Sequence, residues 1–291
     1  MRPVDLMRLL VLAAIWGASF IFLRVLVPVI GPVTTATLRV LVAGVALSIY
    51  FKIIRLDAEW RHLWKEYVFV GVINSGIPFL VYAWAAQYLQ ASYLVIVNST
   101  SPLFGAIFSA IWLGERFTAW KLAGTLVGAV GVVLVARVPP PDLNPMFGLA
   151  LLVSLLAPVC YALAPIYINK SRVSAKPTAL AGTSQLAAGL LLLPLIPLAP
   201  PTGTFTLVVI LNVLGLSLLC SGVAFILYFR LVVDVGPTKA LMVTFLVPAF
   251  GMLWSVIFLS ERVTADMIAG CALIVSGTAL VLRSSARAGS Q

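Results

Sequence analysis

The chain has 291 residues, of which 62% are hydrophobic and only 10% are charged, and its formal net charge is +10. Because soluble domains carry about 25% charged residues, this composition excludes an ordinary water-soluble protein and indicates a chain that lies in a lipid bilayer. The basic excess would suit nucleic acid, but its positions fit membrane topology instead, so we expect no nucleic-acid partner.

Ten apolar segments follow one another along the chain, with short connectors between them. A helix needs about 20 mostly apolar residues to cross a bilayer, and it satisfies its own backbone hydrogen bonds there. The predicted transmembrane helices are 6–27, 32–53, 66–87, 92–113, 120–137, 146–168, 178–199, 206–229, 239–259 and 265–283. The first segment exceeds the core of about 7–15 residues of a signal peptide and is interpreted as a retained helix. We therefore predict an all-α membrane protein with ten transmembrane helices.

Lysine and arginine residues are concentrated on one side of the predicted membrane. Cytoplasmic loops of membrane proteins carry an excess of these residues. When the even-numbered connectors and both tails are placed together, that side holds 15 basic residues, and the other connectors hold two. We predict a multi-pass protein of the bacterial inner (plasma) membrane with both termini in the cytoplasm.

The second half of the sequence repeats the first half at a spacing of 146 residues. Segment 102–137 aligns with segment 248–283 without a gap, and the identities are not confined to common apolar residues. The matched pairs include Pro102 with Pro248, Glu115-Arg116 with Glu261-Arg262, Ser75-Gly76 with Ser221-Gly222, and Tyr82 with Tyr228. Since each half holds five helices, an odd number, the second copy must enter the bilayer from the opposite side.

The duplication predicts two inverted five-helix repeats, residues 1–141 and 142–291, within a single integral membrane unit. It also places Glu115-Arg116 at the cytoplasmic surface and Glu261-Arg262 at the external surface. Inverted repeats recur in secondary transporters, because exchanging the conformations of the two halves converts an outward-open state into an inward-open one. Repeated glycines in the fifth and tenth helices indicate a close-packed scaffold or a dimer contact, so we expect a monomer or a homodimer.

Two motifs connect the sequence to a known family. The first helix contains Trp16-Gly17-x-Ser19-Phe20, and each half closes with a proline followed by Leu-x-Glu-Arg-x-Thr, ending at Thr118 and Thr264. In these motifs and in its ten-helix duplication, the whole chain resembles the EamA group of the drug/metabolite transporter superfamily. Within the group it looks most like the YddG-type exporters of aromatic amino acids. The resemblance implies a central cavity lined by the first, third, fourth, sixth, eighth and ninth helices.

Polar, aromatic and small residues fall on shared faces of several predicted helices. Inside lipid such residues face the bundle interior, where they form either helix-packing contacts or a wet cavity. The predicted substrate-binding residues are Trp16, Ser19, Arg39, Asn74, Ser75, Pro78, Tyr82, Asn98, Ser101, Tyr161, Ser221 and Tyr228. Arg39 either binds a substrate carboxylate or hydrogen-bonds to helix carbonyls. Pro102 and Pro248 act as gating hinges or only shape the bundle, because proline removes a backbone donor.

Acidic residues are missing from the middle of the predicted helices. All nine lie in connectors or at helix ends, and the one histidine, His62, lies in a loop. Proton-coupled exchange of cationic drugs usually needs an intramembrane acid, whereas a neutral aromatic cavity suits an uncharged or zwitterionic solute. We predict export of small neutral or zwitterionic metabolites, above all amino acids including aromatic ones, by alternating access and as a facilitator without a carboxylate proton site. The alternatives are proton-coupled drug efflux and lipid flipping.

Enzymatic chemistry finds no support in the residue types. A hydrolase would need a nucleophile with a base, or a metal cluster, and the chain offers one loop histidine and three scattered cysteines. A channel is disfavoured because no ring of charges or filter-like repeat occurs. We predict no enzymatic activity, no cofactor and no metal. The expected partners are a small-molecule substrate and the lipid bilayer.

Overall fold

The structure, a computed structural model, describes residues 2–114, 117–136, 145–171, 175–235, 240 and 243–288. Every regular element in these ranges is helical, as the sequence predicts. Within them, seven helices are long and apolar enough to cross a bilayer, and three further apolar helices are shorter. The count of ten transmembrane helices and the inverted orientation of the halves remain predictions. The repeat boundary at 141–142 and Glu115-Arg116 lie outside the described residues.

One helix corresponds to each predicted segment, with ends that differ by a few residues. The first half contains α1 (Pro3–Ile30), α2 (Pro32–Ile53), α3 (Trp60–Ala85), α4 (Ala91–Leu113) and α5 (Ala119–Ala136). The second half contains α6 (Phe147–Lys170), α7 (Pro177–Leu192), α8 (Leu207–Leu214, Gly215–Val223 and Ala224–Val235), α9 (Val243–Leu259) and α10 (Ala265–Ala288). Because α3 begins before predicted residue 66, Glu66 lies inside a helix and not at its end.

Proline and glycine set several helix boundaries. Pro3, Pro32 and Pro177 occupy the first turn of their helices, where a missing backbone N–H leaves no hydrogen bond unmade. Gly31 separates α1 from α2 with φ of 76°, a left-handed conformation that favours glycine over residues with a side chain. The chain can therefore turn back within one residue between two long apolar helices.

Helices α5 and α10 pack against each other through reciprocal pairs of glycines. A Cβ atom added to Gly124 would collide with the backbone carbonyl of Gly277, and the reverse also holds. Gly131 and Gly270 face each other in the same way. Gly124 and Gly270 are equivalent at the 146-residue spacing, as are Gly131 and Gly277. The repeated glycines thus join the two halves of one chain as the close-packed scaffold considered above.

The fourth helix differs from the continuous segment 92–113 that the sequence predicts. Helix α4 is interrupted by a turn at Ser99–Thr100, and Pro102 lies in the first turn of the segment that follows, Ser101–Leu113. Pro248, the equivalent proline, lies inside the continuous helix α9. Pro102 therefore interrupts no helical hydrogen bond, because the N–H groups of a first turn have no acceptor within the helix.

Candidate transport site

Two π-helical segments lie at equivalent positions in the two halves. Val72–Gly76 is π-helical within α3, and Gly215–Val223 is π-helical within α8. Ser75 and Ser221, which are equivalent at the 146-residue spacing, lie in these segments and are both fully buried. A π-helical turn adds a residue to the helix and is frequent at functional sites. Both serines therefore lie where the backbone departs from regular α-helix.

Arg39 of α2 lies buried beside the α8 segment. Arg39 is only 6% exposed, and its Nε donates a hydrogen bond of 3.1 Å to the hydroxyl of Ser221. The guanidinium carbon lies 3.7 Å from the ring centre of Phe79, a cation–π contact. Tyr161 and Cys220 lie within electrostatic range of the same guanidinium. A single cation thus contacts α3 and α8 and interacts electrostatically with α6.

Three carboxylates of the described chain are paired with arginines other than Arg39. The ion pairs join Asp5, Asp234 and Glu261 to four arginines, which are Arg2, Arg8, Arg24 and Arg230. None of these ion pairs among the described residues includes Arg39. A guanidinium carries five N–H donors, and burying its charge is costly unless a partner neutralises it. Arg39 is therefore a buried cation with unused donors in the described part of the chain.

Gln185 of α7 joins this site and was missed by the sequence analysis. Its Nε2 lies 3.4 Å from the carbonyl oxygen of Ser221, and its own side-chain oxygen is buried without a hydrogen-bond partner. The hydroxyl of Ser75 is likewise buried and unpartnered. Gln185 is the repeat equivalent of Arg39, at the same spacing of 146 residues. That spacing was the signal that could have identified it.

Tyr82, Asn98 and Tyr161 form a second polar group next to Arg39. The Tyr82 hydroxyl donates to Oδ1 of Asn98 at 3.2 Å, and Tyr161 lies near the same hydroxyl. The Ser101 hydroxyl donates to the backbone carbonyl of Asn98 at 2.7 Å, at the break in α4. Tyr161 connects the two groups because it also interacts with Arg39. The structure therefore brings together α2, α3, α4, α6 and α8 at these residues.

Aromatic rings form a third group around Trp16 of α1. The Trp16 ring lies 5.5 Å from the ring of Tyr228 and 6.1 Å from that of Phe225, both on α8. Ser19 donates its hydroxyl to the carbonyl of Trp16 at 2.7 Å, so this hydroxyl is engaged within its own helix. Cys220 joins the groups, since its thiol donates to the α1 carbonyl of Ile15 at 3.2 Å. These rings can enclose an apolar or aromatic part of a solute.

Two further predicted site residues lie along α3. Asn74 is partly buried in the same π-helical segment as Ser75, and Pro78 is buried in the first turn of the α-helical part that follows. Both lie on the helix that carries Phe79 and Tyr82. Their place along α3 is compatible with the predicted site, which is otherwise defined by the contacts of Arg39 and Tyr82.

Carboxylates from the second half hold both ends of α1. Near its beginning, Arg8 pairs with Asp234 of α8 at 2.5 Å. Near its other end, Arg24 donates to the carbonyl of Ala86 at 2.6 Å and lies 3.8 Å from Glu261. Asp234 and Glu261 belong to the second half of the chain. The polar site around Arg39 thus lies on a bundle whose first helix is tied across the repeats at each end.

Glu261 also binds the first residues of α4. Its two carboxylate oxygens accept backbone N–H groups of Ala91 and Ser92 at 2.8 and 3.2 Å, and the Ser92 hydroxyl at 2.9 Å. The residue is only 9% exposed. The free N–H groups at a helix start attract this acidic side chain from another element, and its place on the external side of the membrane stays a prediction.

Comparison with known proteins agrees with this arrangement. The model of the EamA-like transporter family matches residues 6–137 and again residues 148–283. The protein PecM of Dickeya dadantii is 26% identical over 92% of this chain and 88% of its own length, and the uncharacterized transporter YvbV of Bacillus subtilis is 26% identical over 93% and 88%. A solved crystal structure with 20% identity covers 96% of both chains with a TM-score of 0.68, which supports the fold. The chain is therefore a multi-pass membrane transporter, not an enzyme, and belongs to the EamA-like transporter family.

Proposed function

We propose that the protein exports small neutral or zwitterionic metabolites, above all amino acids including aromatic ones, from a bacterial cytoplasm across the inner membrane. Arg39 gives the strongest support. It is a buried cation that lacks a carboxylate partner among the described residues and lies against an aromatic ring. A carboxylate matches the fork of guanidinium donors in shape and charge. An α-amino acid supplies that carboxylate while remaining neutral overall.

The remaining predicted residues surround this anchor in complementary roles. The Ser221 hydroxyl orients the guanidinium, and the Tyr82–Asn98 pair offers an amide and a hydroxyl to the solute ammonium group. The rings of Trp16 and Tyr228 accommodate an apolar or aromatic side chain. Ser19, Asn74, Ser75, Pro78, Ser101 and Tyr161 complete the binding region. Carboxylate at one end and aromatic side chain at the other give selectivity for amino acids over simple amines.

Transport by this site requires alternating access of two inverted repeats, in a protein with both termini in the cytoplasm. The Arg8–Asp234 and Arg24–Glu261 pairs lie near opposite ends of α1 and act as the two gates, because each joins one repeat to the other. The break at Ser99–Thr100, next to Pro102, is the proposed hinge of α4, and Pro248 is the proposed hinge of α9. The carboxylates in the described ion pairs lie near the ends of α1, away from Arg39, which favours facilitated diffusion over proton coupling. A monomer suffices for this mechanism, and a homodimer is compatible with it.

Counterflow in proteoliposomes tests the proposed substrate and the absence of coupling. Vesicles loaded with phenylalanine, methionine or threonine should take up the labelled amino acid with saturation, equally with and without a pH gradient. Phenethylamine, which is phenylalanine without its carboxylate, should compete poorly, because it offers no anion to Arg39. Matched vesicles without protein provide the background.

Three results would contradict the proposal in different ways. Transport that requires the pH gradient would favour proton-coupled efflux. Equal competition by phenethylamine and phenylalanine would exclude a carboxylate anchor. Flipping of a labelled phospholipid in the same vesicles, with no amino-acid counterflow, would assign the protein to lipid transport.

A further inference from the structure

A cleft of about 600 Å³ opens at the end of α2, away from the residues around Arg39. It lies between the last turns of α2, the connector to α3 and the facing side of α7. Phe51 and Leu186 line its apolar wall, and Lys52 and Arg55 lie at its mouth beside Trp60. This end of the bundle belongs to the side of the predicted membrane that carries the excess of lysine and arginine residues. Because such an excess is typical of the cytoplasmic side, we place the cleft at the cytoplasmic surface.

The mouth of the cleft is positively charged. Lys52 and Arg55 are both exposed, and no ion pair among the described residues includes either of them. Asp57, the carboxylate of this mouth, uses Oδ1 to accept the backbone N–H of Glu59 at 2.8 Å. Two cations therefore remain available for an anion that approaches from the membrane surface.

The floor of the cleft carries a polar group without a partner. Thr183 of α7 is only 5% exposed, and its hydroxyl has no hydrogen-bond partner in the described structure. The cleft beside it is partly apolar, because Gly182 lets the ring of Phe51 come into contact with α7, and Leu186 also lines the cleft. An unpaired buried hydroxyl costs free energy, so a ligand that reaches it with an acceptor oxygen is favoured.

The connector above the cleft is held in place by its own contacts. The Tyr67 hydroxyl donates to the carbonyl of Ala58 at 2.5 Å, and the rings of Trp60 and Tyr67 stack with centres 5.6 Å apart. Trp60 remains partly exposed at the mouth, as expected of a tryptophan at a membrane interface. The cleft is therefore largely formed before a ligand enters.

We infer that this cleft binds one molecule of an anionic phospholipid. The phosphate lies between Lys52 and Arg55, an ester oxygen of the glycerol accepts from the Thr183 hydroxyl, and an acyl chain follows Phe51 and Leu186. Basic pockets between membrane helices at a cytoplasmic surface are suited to anionic headgroups, and the apolar wall formed by Phe51 and Leu186 favours a lipid over a free anion. The site is independent of the transported solute.

Native mass spectrometry of the full-length protein tests the lipid site. The protein in detergent, incubated with phosphatidylglycerol, should retain one lipid more strongly than with phosphatidylethanolamine. The double variant K52A/R55A should weaken phosphatidylglycerol retention by about tenfold, since each surface cation contributes to headgroup attraction. T183V should weaken it less. The control R61A/K65A removes two neighbouring cations that do not line the cleft and should bind as the unmodified protein does.

Two outcomes would overturn the inference. Retention of phosphatidylglycerol by K52A/R55A at the level of the unmodified protein would show that these two cations do not bind the lipid. Complete displacement of the lipid by glycerol phosphate, which has the headgroup and no acyl chain, would show an anion site without a lipid groove. Amino-acid counterflow by K52A/R55A separates the two proposals, because the lipid site can fail while transport persists.

Discussion

Helices α4 and α9 occupy equivalent places in the two halves, yet only α4 is interrupted. Around its break, the hydroxyls of Ser99, Thr100 and Ser101 donate to carbonyls three or four residues earlier, at 3.0, 2.7 and 2.7 Å. The equivalent residues of α9 are Phe245, Leu246 and Val247, and that helix is continuous.

Side chains next to the shared proline explain this difference. Hydroxyls that bond to the backbone compete with helical hydrogen bonds, whereas apolar side chains leave them intact. The carbonyl of Ser99 faces the hydroxyl of Thr278 on α10, at the limiting distance of 3.5 Å. Duplication therefore preserved the proline while the neighbouring residues decided where the helix breaks.

The same asymmetry appears between Arg39 and Gln185. These residues are repeat equivalents, and both approach Ser221, but only the first half supplies a charge. We therefore expect a carboxylate bound at the proposed site to be oriented toward α2 and not toward α7. The two halves share a helical arrangement, but only the first half places a charged side chain at this position.

The largest expected effect comes from making these two positions identical. The variant R39Q should lower amino-acid counterflow by about 100-fold, because it removes a charge-assisted bond of a few kcal/mol inside the bilayer. The measurement is the initial rate of phenylalanine counterflow in proteoliposomes, with R61Q as the control for an exposed arginine. Unchanged counterflow in R39Q would assign Arg39 to helix packing alone.

A double variant sharpens the test by moving the charge to the equivalent place. By the equivalence of the repeats, we expect the new guanidinium in R39Q/Q185R beside Ser75, whose buried hydroxyl has no partner. Counterflow should recover partly from the level of R39Q, since the site regains one cation. Recovery equal to the unmodified protein would mean that the orientation of the carboxylate is unimportant.

An intermediate effect is expected where Glu261 begins α4. E261Q keeps the shape of the side chain but removes the charge that holds Arg24 and two backbone N–H groups. Thermal unfolding in detergent should show a loss of about 1–3 kcal/mol in stability, since hydrogen bonds to a buried charged group contribute about this much. D266N, a change at an exposed acid in the first turn of α10, serves as the control and should cost less, about 0.3–1 kcal/mol, because an exposed charge at a helix start contributes only that much.

The smallest effects are expected at the two prolines, and they should be unequal. P248A restores a backbone donor inside α9, which should stiffen the helix and slow counterflow several-fold without changing the apparent affinity. P102A acts in a first turn, where no hydrogen bond is missing, and should change the rate by less than about twofold. Equal slowing in both variants would show that both prolines act as hinges, as the repeat in the sequence suggests.

Much of the helical frame could be read from the sequence. The apolar segments predicted helices with nearly correct limits, because lipid offers no hydrogen bonds and each segment must satisfy its own backbone. The repeat of 146 residues also indicated which helices are equivalent. Sequence patterns predicted Arg39, Tyr82, Asn98 and Ser221 as site residues. In the structure Arg39 is hydrogen-bonded to Ser221, and Tyr82 is hydrogen-bonded to Asn98.

Other features depended on packing that no local pattern encodes. The bond between Arg39 and Ser221 joins residues 182 positions apart, and that between Glu261 and Ala91 joins residues 170 apart. Hydropathy ranks a residue by its own polarity and cannot reveal which distant group will neutralise it. The sequence by itself determined that this protein is a duplicated helical membrane protein, because solvation by lipid acts on each segment separately. Only the tertiary structure decided which charges are paired, which remain buried and unpaired, and where α4 breaks, because those outcomes depend on contacts between helices.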